Sequence, residues 1–434
     1  MASPNYEGIA YSPVETILPA PTVRSQLSLR ARIKSLMKYL GPAFIVSVAY
    51  IDPGNFGTNI CGGSKFNYSL IWVILWSNLM AIFLQTLSAK LGIATGRSLP
   101  QVCSEVFSRR TNWFFWVVAE IAAMATNLAE FLGGVLGLYL LFGIPMMYAA
   151  LITGLATFLI ASMEKYGQRW VEAIIVCLVA VISGAYVIEL FLAKPDWAQV
   201  GLHTLVPSLP NGDALLIAAG MLGATVMPHV IFLHSQLVQY RNGFKTEAQR
   251  IRHYRMETID IAVAMNIAFI VNAAMVIVSA SVFFTQGLQV ETIEQAHRSL
   301  TPLLGSLSSA EFGIALLASG LSSSAVGTMA GQTIMTGFVN LKIPPVIAKL
   351  VNIAPAITII GLGINPMKAL VLSQVVLSFA LPAAIVPLML ITRRRDLMGV
   401  FVNKPLTNWV GWAVTAVILC LNGALLYLTL GSSL

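Results

Sequence analysis

VSVAYIDPGNFGTN, residues 46–59, is apolar on its first half, yet it carries Asp52, Pro53, Gly54 and Asn55 at its centre. Proline inside a helix removes a backbone donor and clashes one turn back. In lipid the freed backbone groups need partners, so a break there survives only against protein or a watery cavity. An ionisable residue at such depth is a functional candidate by default. Asp52 is therefore read as a group that meets a cation. Pro53 and Gly54 are read as the residues that open the helix so that its backbone can help.

The rest of the chain supplies the membrane context. Its 434 residues are 57% hydrophobic and 10% charged, against about 25% charged in a soluble chain. A spanning helix needs roughly 20 mostly apolar residues. Eleven stretches qualify, at about 39–62, 68–93, 112–141, 145–163, 171–193, 213–239, 257–285, 301–338, 344–363, 366–391 and 406–430. The eighth is too long for one span and includes connections. The sequence predicts an all-α integral membrane protein with eleven transmembrane helices. The formal net charge of +8 is not a nucleic-acid signature, because Lys and Arg sort by side. Arg97, Arg109, Arg241, Lys245, Arg393 and Arg394 fall in alternate loops, whereas the opposite loops hold only Lys65, Lys194, Arg298 and Lys368. That bias places the N-terminus in the cytoplasm and the C-terminus outside. Residues 1–38 read as a disordered cytoplasmic arm, with prolines at 4, 13, 19 and 21. No secretory signal is visible. The four cysteines have no paired spacing that indicates a disulfide framework or zinc site.

A second break faces the first. GMLGATVMPHVIFLHS, residues 220–235, places Gly223, Met227, Pro228 and His229 in the middle of the sixth stretch. Five spans separate the two broken helices, an odd number, so they run in opposite directions. That is the pattern of a 5+5 inverted repeat, with residues 39–200 as the first repeat and 201–395 as the second. Residues 396–434 add an eleventh span and an external C-terminus. In such transporters the site lies at the midplane between the breaks, where unwound carbonyls and half-helix C-termini favour cations. Asp52 adds a formal charge and Asn55 a neutral oxygen. The Met227 thioether is soft, and prefers transition metals over Ca2+ and Mg2+. Methionine also fills gaps in plain packing.

DPGN in the first stretch, ATVMPH in the sixth and ASGLSSSAVGTMAGQ (318–332) in the eighth together resemble the Nramp family of proton-coupled divalent metal transporters. The likeness is nearest to the bacterial manganese transporters and runs from about residue 35 to the end. The resemblance implies a LeuT-type fold with discontinuous helices 1 and 6. It implies a metal site formed by Asp52, Asn55, Met227 and the Ala224 carbonyl, joined by the Ala49 carbonyl when helix 1 rearranges. Gln374 falls where the family has a glutamine near the metal. Gln85 and Asn272 match positions of gating or polar support, with interhelical hydrogen bonding as the plainer reading. Asp52, His229 and Glu130 are implied to carry protons, and His234 reads more simply as structural. The implied activity is import of Mn2+, with Fe2+ and related ions, by proton symport across a bacterial plasma membrane. No cofactor is expected to be permanently bound, and the expected partners are the metal ion, protons and lipid, with no nucleic acid.

Three positions depart from the family pattern. Asn127 stands where an aspartate usually precedes Glu130, Ala348-Lys349 replaces an Arg-Arg pair, and Asn365-Pro366 replaces an Asp-Pro. Loss of the aspartate together with one arginine is physically consistent, since an unpaired intramembrane charge is costly. Lys349 then needs another partner, and Glu120, two turns before Asn127, is a candidate. These departures imply a proton exit route that is weakened or rerouted, so a metal uniporter is an alternative. A same-fold symporter of an organic substrate is another, and Met227 beside Asp52 argues against it. An enzyme is not expected, as no HExxH-like ligand set is present. An ATP-driven pump is not expected either, as there is no GxxxxGK[ST] loop or soluble domain. The small residues of the eighth stretch read as close helix packing.

Overall fold

A computed structural model describes residues 42–163, 168–241, 246–304, 306–341 and 345–431. The expected arm at 1–38 lies outside the described residues, as do residues 39–41 of the first expected span. All regular structure among the described residues is helical. The first apolar stretch forms α1 (Pro42–Ala49) and α2 (Pro53–Phe66), followed by a 3-10 turn and α3 (Ile71–Thr95). Next come α4 (Leu99–Val106), α5 (Arg109–Phe142), α6 (Met146–Met163), α7 (Gln168–Ala193) and α8 (Trp197–Leu205). The sixth stretch forms α9 (Gly212–Thr225) and α10 (Pro228–Leu237). The chain continues through α11 (Glu247–Val282), α12 (Ile293–Leu304), α13 (Ser306–Val339), α14 (Pro345–Gly361), α15 (Pro366–Thr392), the short α16 (Arg395–Met398) and α17 (Pro405–Gly431).

Every expected apolar stretch thus contains helix. By length and composition, seven helical runs among the described residues are able to cross a membrane, and an eighth arises if a bent pair is taken as one. That pair is Cys177–Ala193 with Trp197–Leu205, bent by 119°. The Pro53–Thr95 run counts once although it holds the end of the first stretch and all of the second. The eighth stretch does divide, into α12 and α13.

Both breaks have the same local cause. Asp52 is extended, with φ −85° and ψ 166°, and its side chain accepts from the Asn55 backbone N–H as an N-cap. Pro53 then occupies the first helical turn, where its missing N–H costs nothing. Met227 is likewise extended, with φ −82° and ψ 121°, and Pro228 begins α10. The prolines therefore start second half-helices. Gly54 does not open the helix, contrary to the reading of the sequence. It lies inside α2, and its lack of a side chain serves a close approach described below.

The two broken helices cross antiparallel. Asn55, near the start of α2, bonds to Ala224. Thr58 packs on Gly220, and Gly62 on Met221 and Ile217. Residue numbers rise on one helix as they fall on the other, as an inverted repeat requires. Around them, α11 and α15 pack on α2, and α5 lies along α13. The α5–α13 contact is close because Gly320 sits on the Gly134 and Glu130 backbone, and Gly137 on Leu317.

Hydrogen bonds gather the connections into two ends. Arg250 bonds to the Ala94 carbonyl, the Leu99 N–H to Ser235, and Lys90 to Asn403 at one end. At the other, Tyr68 pairs with Ser281 and receives the Asp196 N–H, while Asn365 bonds to the Glu291 carbonyl. The first end carries the basic loops around Arg97, Arg109, Arg241 and Arg393.

Candidate metal site between the broken helices

Four half-helix ends meet at the crossing. The C-terminal ends of α1 and α9 bring carbonyls, and such ends carry partial negative charge. The N-terminal ends of α2 and α10 carry Asp52 and Met227 as their caps. Asp52, Asn55, Ala224, Met227 and Ala49 are completely buried.

The side chains are locked around one another. Asn55 Nδ2 donates to Asp52 Oδ1 at 2.8 Å, to the Ala224 carbonyl at 3.2 Å and to the Tyr50 carbonyl at 3.2 Å. Gln374, on α15, lies over Gly54, where any Cβ would occupy the space of its amide. Gly223 meets the Gln374 backbone carbonyl just as closely. Gln374 Nε2 donates to Ser373 Oγ at 3.1 Å. These bonds consume donors and leave acceptors. Among the described residues, none donates a hydrogen bond to Asp52 Oδ2, Asn55 Oδ1 or Gln374 Oε1, although all three are buried. Buried polar atoms are nearly always paired, and exceptions mark functional sites. Three oxygens of this kind at the crossing, where Met227 caps α10 and two helices end in carbonyls, fit a cation. A site rich in charged or imidazole ligands is a different matter: no group of three or more His, Cys, Asp or Glu suited to a metal occurs among the described residues.

A second polar layer holds the unwound segment at Tyr50–Asp52. Asn272 Nδ2 donates to the Tyr50 carbonyl at 2.6 Å, and Asn59 Nδ2 donates to Asn272 Oδ1 at 2.8 Å. Ser319 Oγ donates to the Ile51 carbonyl at 2.5 Å. Gln85 Nε2 donates to Tyr50 Oη at 2.5 Å, while Gln85 Oε1 pairs with His234 Nδ1 at 2.8 Å. His234 Nε2 in turn faces Glu257 Oε1 at 3.2 Å, both side chains being buried. Gln85 and Asn272 thus support Tyr50, and His234 has its own buried partners.

His229 sits two residues after Met227, in the first turn of α10, and crosses to α5, where Nδ1 lies 3.2 Å from Thr126 Oγ1. Glu130 is one turn beyond Thr126 and nearly fully buried. Gly327 faces the Glu130 carboxylate and Asn127 Oδ1 together, so these groups share one pocket on α13. Asn127 Nδ2 is spent on the Ala123 carbonyl at 2.8 Å. Glu120 is only partly buried, two turns back along α5. Lys349 falls in α14, but its side chain lies outside the described residues.

Sequence reasoning missed the Tyr50 and Ile51 carbonyls as hubs. No side-chain type signals a backbone acceptor. It also missed Gly133, whose open face receives the Pro53 ring and lets α5 approach the break.

The family model described as natural resistance-associated macrophage protein-like (Nramp) matches residues 43–428. A protein called divalent metal cation transporter MntH, from Caldanaerobacter subterraneus, is 64% identical over 96% of this chain and 99% of its own length. The protein of the same name from Bacillus subtilis is 48% identical over 90% of this chain and 92% of its own. Among solved structures, a mutant of the Eremococcus coleocola manganese transporter covers 92% of this chain and 88% of its own, with 34% identity and a TM-score of 0.82. Mhp1, a nucleobase-cation-symport-1 family transporter, shares the fold at 17% identity, with a TM-score of 0.59 over 87% of this chain. With the family match spanning nearly all of the described residues, and a relative 64% identical over 96% of the chain, the chain belongs to the Nramp family.

Proposed function

We propose that this protein imports divalent transition-metal ions, Mn2+ first and Fe2+ with it, coupled to protons. The bacterial plasma membrane is the expected location, with the N-terminus inside. The names carried by its relatives support this reading, and so does the donor chemistry. The observation that carries it is the trio of buried acceptors, Asp52 Oδ2, Asn55 Oδ1 and Gln374 Oε1, at the crossing where Met227 caps α10. Asp52 supplies charge, Asn55 and Gln374 neutral oxygens, and the Ala224 and Ala49 carbonyls the helix ends. Met227 supplies softness. In dehydrated surroundings a single carboxylate with neutral donors binds a dication without the repulsion that several carboxylates would bring.

Met227 sets the choice between metals. Ca2+ and Mg2+ prefer hard oxygen ligands, so loss of the thioether removes an advantage held only by softer ions. In Met227→Ala, Mn2+ uptake is expected to become sensitive to millimolar Ca2+ that the unmodified protein ignores. Competition assays in proteoliposomes check this, and unchanged discrimination would leave Met227 as packing.

Protons are assigned to Asp52, His229 and Glu130. His229 has an ordinary pKa nearest neutrality of any side chain, and it touches α5 one turn from Glu130. The exit half of the route is the unusual part. Asn127 cannot accept a proton as an aspartate would, and its amide is tied to Ala123. We infer that coupling is weaker here than in a chain with aspartate at that place, which is the specific ground for the uniporter alternative. Asn127→Asp is expected to increase protons moved per Mn2+. Equal pH dependence in the two proteins would remove this idea.

The deciding experiment is Mn2+ uptake into proteoliposomes with internal pH followed in parallel. Uptake with acidification supports symport. Uptake without acidification supports the uniporter. Absence of metal uptake overturns the reading.

A further inference from the structure

The connection from α7 to α9 carries an apolar surface that no described residue covers. Lys194, just past α7, is left-handed with φ 46°, and Pro195 follows it, so α7 cannot continue. Asp196 then caps α8 through the Ala198 and Gln199 N–H groups, and the two helices meet at a bend of 119°. Spanning helices tilt by ~20° from the bilayer normal on average. A helix turned past a right angle from α7 therefore runs across the bilayer normal and not along it. With 9 residues, α8 is also too short to cross, since crossing takes roughly 20.

The bundle holds α8 from one side only. Val200 is buried, and α8 packs on α3 and on the 3-10 turn before it. Tyr68 of that turn accepts from the Asp196 N–H at 3.3 Å and pairs with Ser281 of α11 at 2.8 Å. Just beyond α8, the Ser208 carbonyl accepts from Trp72 Nε1 at 3.1 Å. The other side is open. At about 100° per residue, Trp197, Ala198, Gly201, Leu202 and Leu205 share one arc of about 140°. Trp197 is 60% exposed, Leu202 54% and Leu205 74%. Residues 197–210 include no Lys, Arg, Asp or Glu. A helix that turned this arc to water would carry charged and polar residues on it.

The arc continues a surface that faces lipid. Val187, Ile188, Phe191 and Leu192 are exposed on α7, whose 26 residues are enough to span. Tryptophan is enriched where bilayer meets water, with its ring at headgroup level, and Trp197 opens α8. A surface helix with a wide apolar face binds in the interface plane, with that face in the headgroup–acyl boundary. We propose that α8 lies in the interface of the leaflet at the end poor in basic residues, with Trp197, Leu202 and Leu205 set into lipid. The partner is the lipid surface, and not a second copy or another protein. Through Asp196, Tyr68 and Ser281 that leaflet then grips the start of α3 and the end of α11. The proposal needs only a chain that spans the membrane, and is independent of the ion carried.

The test uses full-length protein in phosphatidylcholine nanodiscs. Cys177 and Cys420, the exposed cysteines among the described residues, are first replaced by alanine. Single spin labels are then attached in Trp197→Cys, Leu202→Cys and Leu205→Cys, and in Gln199→Cys, which lies outside the arc. Power saturation compares oxygen, which concentrates among acyl chains, with chromium oxalate, which stays in water. The oxygen-to-chromium accessibility ratio should be several-fold higher at the three arc positions than in Gln199→Cys. Adding Leu205→Glu to Leu202→Cys should lower the ratio there towards the Gln199→Cys value, because a charge resists entry into the apolar layer. Water-like ratios at all four positions would overturn the proposal. Labels shielded from both agents, or spin–spin coupling between two copies in one disc, would overturn it too, since either means that protein covers the arc.

Discussion

Asp52→Ala is expected to weaken Mn2+ binding by more than about 100-fold, since even outer groups at a metal site are worth 10–100-fold. Two effects are combined in that variant and can be separated. The carboxylate caps α2, accepting from the Asn55 N–H at 2.9 Å, and loss of an N-cap costs about 1 kcal/mol. Asp52→Asn keeps an oxygen able to cap and removes only the formal charge. Metal binding should fall in both variants, while thermal stability without metal should fall only in Asp52→Ala. The asparagine variant should melt at or above the unmodified protein, because its Oδ2-side atom no longer holds an unpaired buried charge. Isothermal titration with Mn2+ and melting in detergent give both numbers. Full-strength binding by Asp52→Asn would remove the charge from the argument for the site.

Gly223→Ala is the second large effect. A Cβ there would fall on the backbone carbonyl of Gln374 and come within 2.7 Å of the Ser378 backbone nitrogen. Neither can rotate away, so α9 and α15 must separate. Overpacking typically costs 1–3 kcal/mol and occasionally more; a backbone collision belongs at the upper end of about 3 kcal/mol. The expected outcome is poor yield of monodisperse protein and a lower melting temperature. Gly54→Ala makes a useful contrast. Its Cβ would meet only the Gln374 side chain, whose flexible end can move. That variant should fold, yet lose metal affinity as the Gln374 amide is pushed from its place over Gly54. If Gly223→Ala melts like the unmodified protein, the close packing of α9 on α15 is looser than described.

The broken helices were legible because a proline with polar neighbours has no place in the middle of an apolar run. Their antiparallel relation followed from counting spans. The same reasoning misassigned Gly54, since a glycine reads alike whether it frees a turn or admits a neighbour. Only Gln374 arriving from α15, more than 300 residues later in sequence, tells them apart. The Tyr50 and Ile51 carbonyls were invisible for a similar reason, because every residue carries one. The 119° bend between α7 and α8 was missed because Asp196, which caps α8 through the Ala198 and Gln199 N–H groups, looks like any loop residue. Asp52, His229 and Glu130 stood out as candidates because their chemistry is costly in lipid wherever they point, and Met227 because a soft ligand sits at the second break.

The glycines that admit Gln374 and Pro53 have a consequence for how this protein tolerates change. Gly223 faces the backbone of α15 and Gly133 the Pro53 ring, each with no room for one more carbon, whereas Gly54 faces only the movable end of Gln374. A library randomised across the crossing would return Gly133 and Gly223 nearly invariant under selection for expression alone, before any metal is added, and Gly54 only once metal is required. Met227, which makes no side-chain hydrogen bond in capping α10, would exchange with apolar residues of similar volume under that selection and become fixed only when the growth medium demands one ion over another. Comparing the two selections would separate the positions that shape the vessel from the one that chooses its contents.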